Sequence, residues 1–203
     1  MVLILSFADS NLGSSAQTVL TGLAPNGGLY IPEHIPSPPS DWQEKWKSHS
    51  FADLSVEVLS LYISEDEITR SDLRKLVEKS YSTFRHSDIT PLQKINEKLF
   101  VLELFHGPTF AFKDVALQLL GNLFEFFLVR RNAKRTSGEP KEKLTVVGAT
   151  SGDTGRYMKR CSTVIRLLTT RSVLRFMVFE TRRTFQFSFS IQKVVSPLFN
   201  RPR

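Results

Sequence analysis

Two short loops carry residue types that could do chemistry. The first runs Glu103-Leu104-Phe105-His106-Gly107-Pro108-Thr109-Phe110-Ala111-Phe112-Lys113-Asp114. Lys113 stands between aromatic neighbours, where the pattern predicts the first turn of a buried helix. Desolvation and the positive end of a helix dipole both disfavour an ammonium ion. A neutral amine so placed can attack an aldehyde. On spacing alone, a lysine reaching from a helix end into water is the commoner arrangement. His106 is a candidate general base, although a loop histidine bonded to backbone is commoner. The second loop is Thr150-Ser151-Gly152-Asp153-Thr154-Gly155. Its glycines let backbone N–H groups converge and its hydroxyls add donors, which suits a carboxylate or phosphate. It has neither the lysine of a Walker loop nor the dinucleotide glycine spacing.

The elements around these loops follow from periodicity. An apolar run at 144–147 predicts the strand that delivers the second loop, and another at 99–104 leads into the first. Residues 110–129 predict a helix that is apolar almost all round and therefore buried. Upstream, residues 51–63 predict a helix with Leu54, Val58, Leu61 and Tyr62 on one face. Ser71 is the expected cap of a second helix striped with Leu73, Leu76, Val77, Tyr81 and Phe84, and Pro91 closes it. Nearer the start, Asn26-Gly27-Gly28 predicts a tight turn before a strand at 29–31. Three prolines within 34–41 predict an extended connector. Trp42 and Trp46, four apart, read as packing. Strand, helix, strand and glycine-rich turn in that order predict a layered α/β domain.

Composition narrows the class. In 203 residues, 41% are hydrophobic and 23% charged, which favours a packed core over global disorder. The single cysteine, Cys161, excludes a disulfide framework and suits a reducing compartment. His34, His49 and His86 have no ligand spacing, so no metal is expected. No apolar run approaches the ~20 residues that span a bilayer, and residues 1–5 are too short for a signal peptide. A cytoplasmic protein without a membrane partner is the expectation. The net charge of +7 is unevenly placed: residues 156–203 hold 11 Lys and Arg against Glu180 alone, and residues 1–155 hold 16 bases against 19 acids. A basic tail of this kind could bind nucleic acid.

Taken together, ELFHGPTFAFKD and VVGATSGDTG closely resemble threonine synthases of the fungal type, and TVLTGLAPNGGLYIPEHIP resembles that family's N-terminal segment. The resemblance covers roughly residues 18–155. It implies an α/β architecture: an N-terminal helical subdomain followed by the start of a fold-type-II pyridoxal-phosphate enzyme domain, truncated. It divides the chain into 1–91, the family's N-terminal domain; 92–155, the first part of the catalytic domain; and 156–203, a non-homologous basic tail expected to be disordered. It also implies a lyase acting on carbon–oxygen bonds to phosphate, converting O-phosphohomoserine and water to threonine and phosphate, with pyridoxal 5'-phosphate as cofactor and a small molecule, not nucleic acid, as partner. A monomer is expected. Lys113 matches the lysine that carries the cofactor and serves as catalytic acid and base. Asp153 matches the loop beside the cofactor ring. Ser151, Gly152, Asp153 and Thr154 match the loop that holds the substrate's carboxylate end, and His106 and Thr109 match the loop that shapes the site. The family's cofactor-phosphate loop lies further downstream than this chain reaches. The alternatives are a threonine-synthase-like phospholyase acting on the same substrate, and a non-catalytic protein with a nucleic-acid-binding tail.

The tail has a further reading. After Gly155 the family continues S-A-A-I-Y-G-L-R, whereas this chain continues Arg156-Tyr157-Met158. Back-translated and read one base earlier from Ser172, the tail permits the family's sequence. At Met177/Val178 the shifted codon can only be Gly, at Phe179/Glu180 only Arg or stop, and at Phe199/Asn200 only Gln or stop. All three suit the family. Arg156-Tyr157 can encode a splice donor, Leu168-Thr169 a branch point and Ser172-Val173 an acceptor. The bases between donor and acceptor are not a multiple of three. A retained intron that shifts the frame is the expectation.

Overall fold

The computed structural model describes residues 15–21, 28, 30–32, 34–136, 139–150 and 174–180. The elements in chain order are α1 (Ser15–Thr21), α2 (Trp42–Trp46), α3 (Phe51–Ser60), α4 (Arg70–Tyr81), β1 (Leu92–Lys94), β2 (Phe100–Leu102), α5 (Asp114–Ala133), β3 (Leu144–Thr150) and β4 (Leu174–Glu180). The chain divides into two compact units, Met1–Phe124 and Glu125–Arg203, with the division inside α5.

In the first unit, α3 and α4 start in the same way. Ser50 and Thr69 are extended residues whose hydroxyls accept the backbone N–H of Asp53 and Asp72, three positions on. Each cap satisfies a donor that the first helical turn leaves unpaired, and each aspartate adds negative charge at the positive end of its helix. The cap of α4 is therefore Thr69, not the expected Ser71; Ser71 already lies inside the helix.

The stripe of α4 is as expected: Leu73, Leu76, Val77 and Tyr81 are buried, and Phe84 beyond the helix is half-buried. The expected face of α3 is corrected. Val56 and Leu59 are buried together with Ile63, whereas Leu54 and Val58 are 37% and 39% exposed. Apolar residues occupy so much of α3 that two stripes compete, and packing against α4 selects the one through Val56. Exposed acids and bases then bridge the two helices, with Asp53 pairing with Arg74 and Glu57 with Arg70.

Tyr81 is the hub between α4 and the start of α5. Its ring meets Phe51 edge-on at 4.9 Å and Phe84 at 5.4 Å, and its hydroxyl donates to the Val115 carbonyl at 2.9 Å. Burial pushes its phenol up to about 12. A second tie is polar and buried: the Asn122 amide donates to Ser80 Oγ at 2.9 Å, while Ser80 Oγ–H donates to the Leu76 carbonyl at 2.6 Å. Leu119, Leu123 and Phe124 of α5 are buried.

β1 and β2 form an antiparallel hairpin with Leu92 opposite Leu102 and Lys94 opposite Phe100. The strand expected at 99–104 shortens to β2, and its partner β1 was not expected. All six residues are exposed. The strand expected at 29–31 does not form at Tyr30 and Ile31, and the turn at 26–28 lies outside the described residues except for Gly28. Trp42 and Trp46 lie on one-turn α2, their rings 5.9 Å apart, with no residue of that helix buried.

In the second unit, the end of α5 is joined to the following loop by Asn132, which bonds both the N–H and the carbonyl of Glu142, while Arg131 and Arg135 pair with the Glu142 carboxylate. β3 and β4 pair in parallel, with Leu144 opposite Leu174 and Thr150 opposite Glu180. β4 lies within the basic tail, where no strand was expected; Phe185, Phe187 and Phe189, which alternate in sequence as strand residues do, lie outside the described residues. No helix among the described residues is long and apolar enough to cross a membrane.

Arg74 beside Asp53 holds that carboxyl at about 2, with Ser50 adding a hydrogen bond. Its folded value lies below the unfolded one, about 3.9. The stabilisation is therefore complete above the unfolded value and is lost as pH falls through about 2. Carboxyl-carbon NMR should give a midpoint near 2 for Asp53 in the native chain and one near the ordinary value in Arg74→Met. An unshifted native midpoint would show that the pairing does not exist in solution.

Candidate active site

The Lys113 loop is built on the junction between the hairpin and α5. α5 begins at Asp114, so Lys113 occupies the position just before the helix rather than its first turn; its carbonyl accepts the N–H of Leu117 at 2.9 Å. The lysine is half-buried. Its aromatic neighbours do not wall it in as expected, because Phe110 and Phe112 are 63% and 65% exposed. The Lys113 Nζ stands 5.8 Å from the Phe112 ring centroid. Both rings flank a turn instead of entering the core: the Phe110 N–H donates to the Gly107 carbonyl at 3.2 Å, and Phe110 has a left-handed φ of 60°.

That turn is held from two sides. Arg85, just beyond α4, donates its backbone N–H to the His106 carbonyl at 2.9 Å and its guanidinium to the Gly107 carbonyl at 2.5 Å. The same guanidinium lies 4.0 Å from the centroid of the Phe110 ring, a cation–π contact. On the other side stands Asp114, fully buried. Its carboxylate accepts the Thr109 N–H at 2.7 Å and the Thr109 hydroxyl at 2.8 Å. Gly107 lies so close to it that a Cβ there would be 2.4 Å from the Asp114 Cβ and Oδ2. No side chain fits at that position without moving the aspartate.

His106 is tethered through Nε2 to the Glu103 carboxylate at 2.7 Å, and its ring lies 5.0 Å from that of His86. A histidine bonded to a carboxylate in this way has its ring orientation fixed. Of the expected site residues, the structure therefore brings His106, Thr109 and Lys113 onto one tightly bonded loop. Ser151, Gly152, Asp153 and Thr154 lie outside the described residues; β3 runs up to Thr150, immediately before them. No group of three or more metal-ligating side chains occurs among the described residues.

Sequence reasoning assigned no role to Asp114, Glu103 or Arg85. The first two lie inside the motif itself, and an acid directly after the lysine at a helix start was a readable signal. Arg85 is 22 positions from Gly107 and had none.

The chemistry of this loop fits a cofactor that bears an aldehyde: a primary amine on a backbone fixed from both sides, beside a glycine with room for no side chain. Comparison with known proteins agrees. Residues 8–81 match the family model for the threonine synthase N terminus. The threonine synthase of Schizosaccharomyces pombe is 58% identical over 154 residues, covering 74% of this chain and 30% of that protein. The crystal structure of yeast threonine synthase superposes with a TM-score of 0.70 at 46% identity, covering 80% of this chain and 32% of that one. A pyridoxal-phosphate-bound threonine synthase from Brucella melitensis matches with a TM-score of 0.66 at 36% identity, covering 80% of this chain and 32% of that one. The chain spans about a third of the length of the relatives it matches. Over that span the motifs, the family model and the α/β fold agree, and the chain is similar to the N-terminal portion of threonine synthases.

Proposed function

We propose that this chain is the lysine-bearing part of an enzyme that converts O-phosphohomoserine and water to threonine and phosphate. The observation that supports it is the placement of Lys113 at the start of α5, at the end of a loop bonded to Arg85 on one side and Asp114 on the other. In this reading Lys113 holds pyridoxal 5'-phosphate through Nζ, and Asp153 lies beside the cofactor ring. When bound, the cofactor supplies an electron sink for carbanions formed on the substrate. Lys113 Nζ then moves protons between substrate carbons. Ser151, Gly152, Asp153 and Thr154 bind the substrate's carboxylate, as glycine-rich segments after strands do for anions through backbone N–H groups and hydroxyls. His106 and Thr109 shape the wall of the site, and the tether to Glu103 keeps His106 in one orientation. The enzyme works as a cytoplasmic monomer on a small molecule.

The tail after Gly155 is not part of that enzyme. It is translated from a retained intron and then from the family's own coding sequence in a shifted frame. Removing the intron restores the S-A-A-I-Y-G-L-R continuation and takes the basic charge with it.

Three outcomes test this. In the protein translated from the spliced message, borohydride reduction and peptide mapping should place the pyridoxyl group on Lys113. A label elsewhere, with Lys113→Ala still binding cofactor covalently, ends the assignment. A protein made of residues 1–203 should form no threonine from O-phosphohomoserine, because those residues span about a third of the relatives' length; threonine formation by that purified protein refutes this. Transcripts read across the codons for Gly155 to Val173 should mostly lack the intervening bases. A dominant transcript that keeps them overturns the intron.

A further inference from the structure

We propose that Asp114 is the positioning residue of the Lys113 site, tying the Thr109 corner to the start of α5 and so fixing where the lysine amine stands. The inference rests on the assignment of Lys113 and goes beyond it. Among the described residues Asp114 is the one fully buried charged side chain. A carboxylate taken out of water must receive compensating donors, and both of its oxygens receive them from a single residue, Thr109.

The direction of these bonds sets Asp114 apart from an ordinary cap. A capping aspartate stands before its helix and accepts N–H groups from that helix's own first turn, as Ser50 and Thr69 do for α3 and α4. Asp114 is already the first residue of α5, and it reaches backwards, out of the helix, to a residue five positions earlier. The bonds close the segment 109–114 into a ring of chain that contains Lys113. Two bonds from one residue to both carboxylate oxygens fix orientation as well as distance.

The loop is tightened further by Gly107, whose bare backbone packs against the Asp114 side chain, and by Arg85, which holds the Gly107 carbonyl from the opposite side. Lys113 is thus adjacent in sequence to the most constrained side chain of the loop. Without that constraint its backbone is free to follow the exposed Phe110–Phe112 turn, and a misplaced reacting group costs rate steeply.

The carboxylate acts through geometry, and this separates it from a purely electrostatic role. An asparagine at 114 can turn its carbonyl oxygen to the Thr109 N–H and its amide to the Thr109 oxygen, so both links survive. An alanine removes both and leaves a backbone donor buried without an acceptor.

The experiment uses the protein translated from the spliced message, with pyridoxal 5'-phosphate as probe and borohydride to trap it. The yield at Lys113 is measured relative to that at Lys45, an exposed lysine far along the chain that pairs with Asp41. Amide hydrogen exchange at Thr109 is followed in parallel. The native chain should label Lys113 in preference to Lys45. Asp114→Ala should lower that preference and speed Thr109 exchange, each by about tenfold, the loss expected when a buried donor is orphaned. Asp114→Asn should stay within about twofold of native in both, since both hydrogen bonds persist. Thr109→Val, which removes one of the two bonds and keeps the backbone link, should fall between them, and it carries the test if Asp114→Ala does not fold. A native chain without preference for Lys113 sinks the lysine assignment and the proposal with it. Asp114→Ala with Lys113 labelling unchanged, or Asp114→Asn falling as far as alanine, overturns the proposal alone.

Discussion

A carboxylate in a protein interior is tolerated only where the chain brings donors to it, and this requirement at Asp114 organises the loop around Lys113. Thr109 supplies both donors. To reach them, the chain must turn sharply between Gly107 and Phe110, which explains the left-handed backbone at Phe110 and the absence of a side chain at Gly107. A left-handed φ on a phenylalanine is costly by itself. Here it is sustained by the turn bond to Gly107 and by the Arg85 guanidinium over the ring. The strained residue and the buried charge are two consequences of one closure.

The helical layer serves that closure from a distance. Arg85 can grip the loop only because α4 ends where it does, and α4 is held by Leu73, Leu76 and Val77 inside and by its pairing with α3. Tyr81 then links α4 to Val115, in the first turn of α5, and Asn122 links it again through Ser80. The start of α5 is therefore fixed by its neighbours before the loop is considered. The surface ion pairs between α3 and α4 add little to this, being exposed; the buried hydroxyl and amide contacts set the register.

How much of this was legible in the sequence depended on whether one local pattern dominated. The stripe of α4 was legible because polar residues separate its apolar positions at helical spacing. The face of α3 was not, since Leu54, Val58 and Leu61 compete with Val56, Leu59 and Ile63, and only the partner helix decides. The cap of α4 was misplaced by two residues because Thr69, Ser71 and Asp72 are all cap-forming types. The hairpin was half legible: β2 is apolar, but β1 is Leu-Gln-Lys and gives no strand signal. That Lys113, His106 and Thr109 share one loop at the start of a helix was legible from the motif. The clamp was not, because Arg85 acts across 22 positions and the role of Asp114 depends on a turn that brings Thr109 back to it.

Holding an amine in place and keeping water from it are separate requirements, and the described residues meet them unequally. The first is met by side chains that are themselves buried or bonded. The second is not met: Phe105, Phe110 and Phe112 are each at least half exposed, and so are Leu92, Leu99, Phe100 and Leu102 of the adjoining hairpin. A two-stranded hairpin with both faces in water is marginal by itself, and apolar surface of this kind ordinarily lies against something. In the proposed reaction one water must be admitted as a reactant while bulk water is held off, because bulk water screens the charges that guide proton transfer. In the proposed function, the loop around Lys113 supplies the geometric half of the site. The two requirements differ in range: the loop's geometry is set by short-range bonds within one unit of the chain, whereas excluding water from the exposed Phe105, Phe110 and Phe112 rings takes apolar surface laid against them.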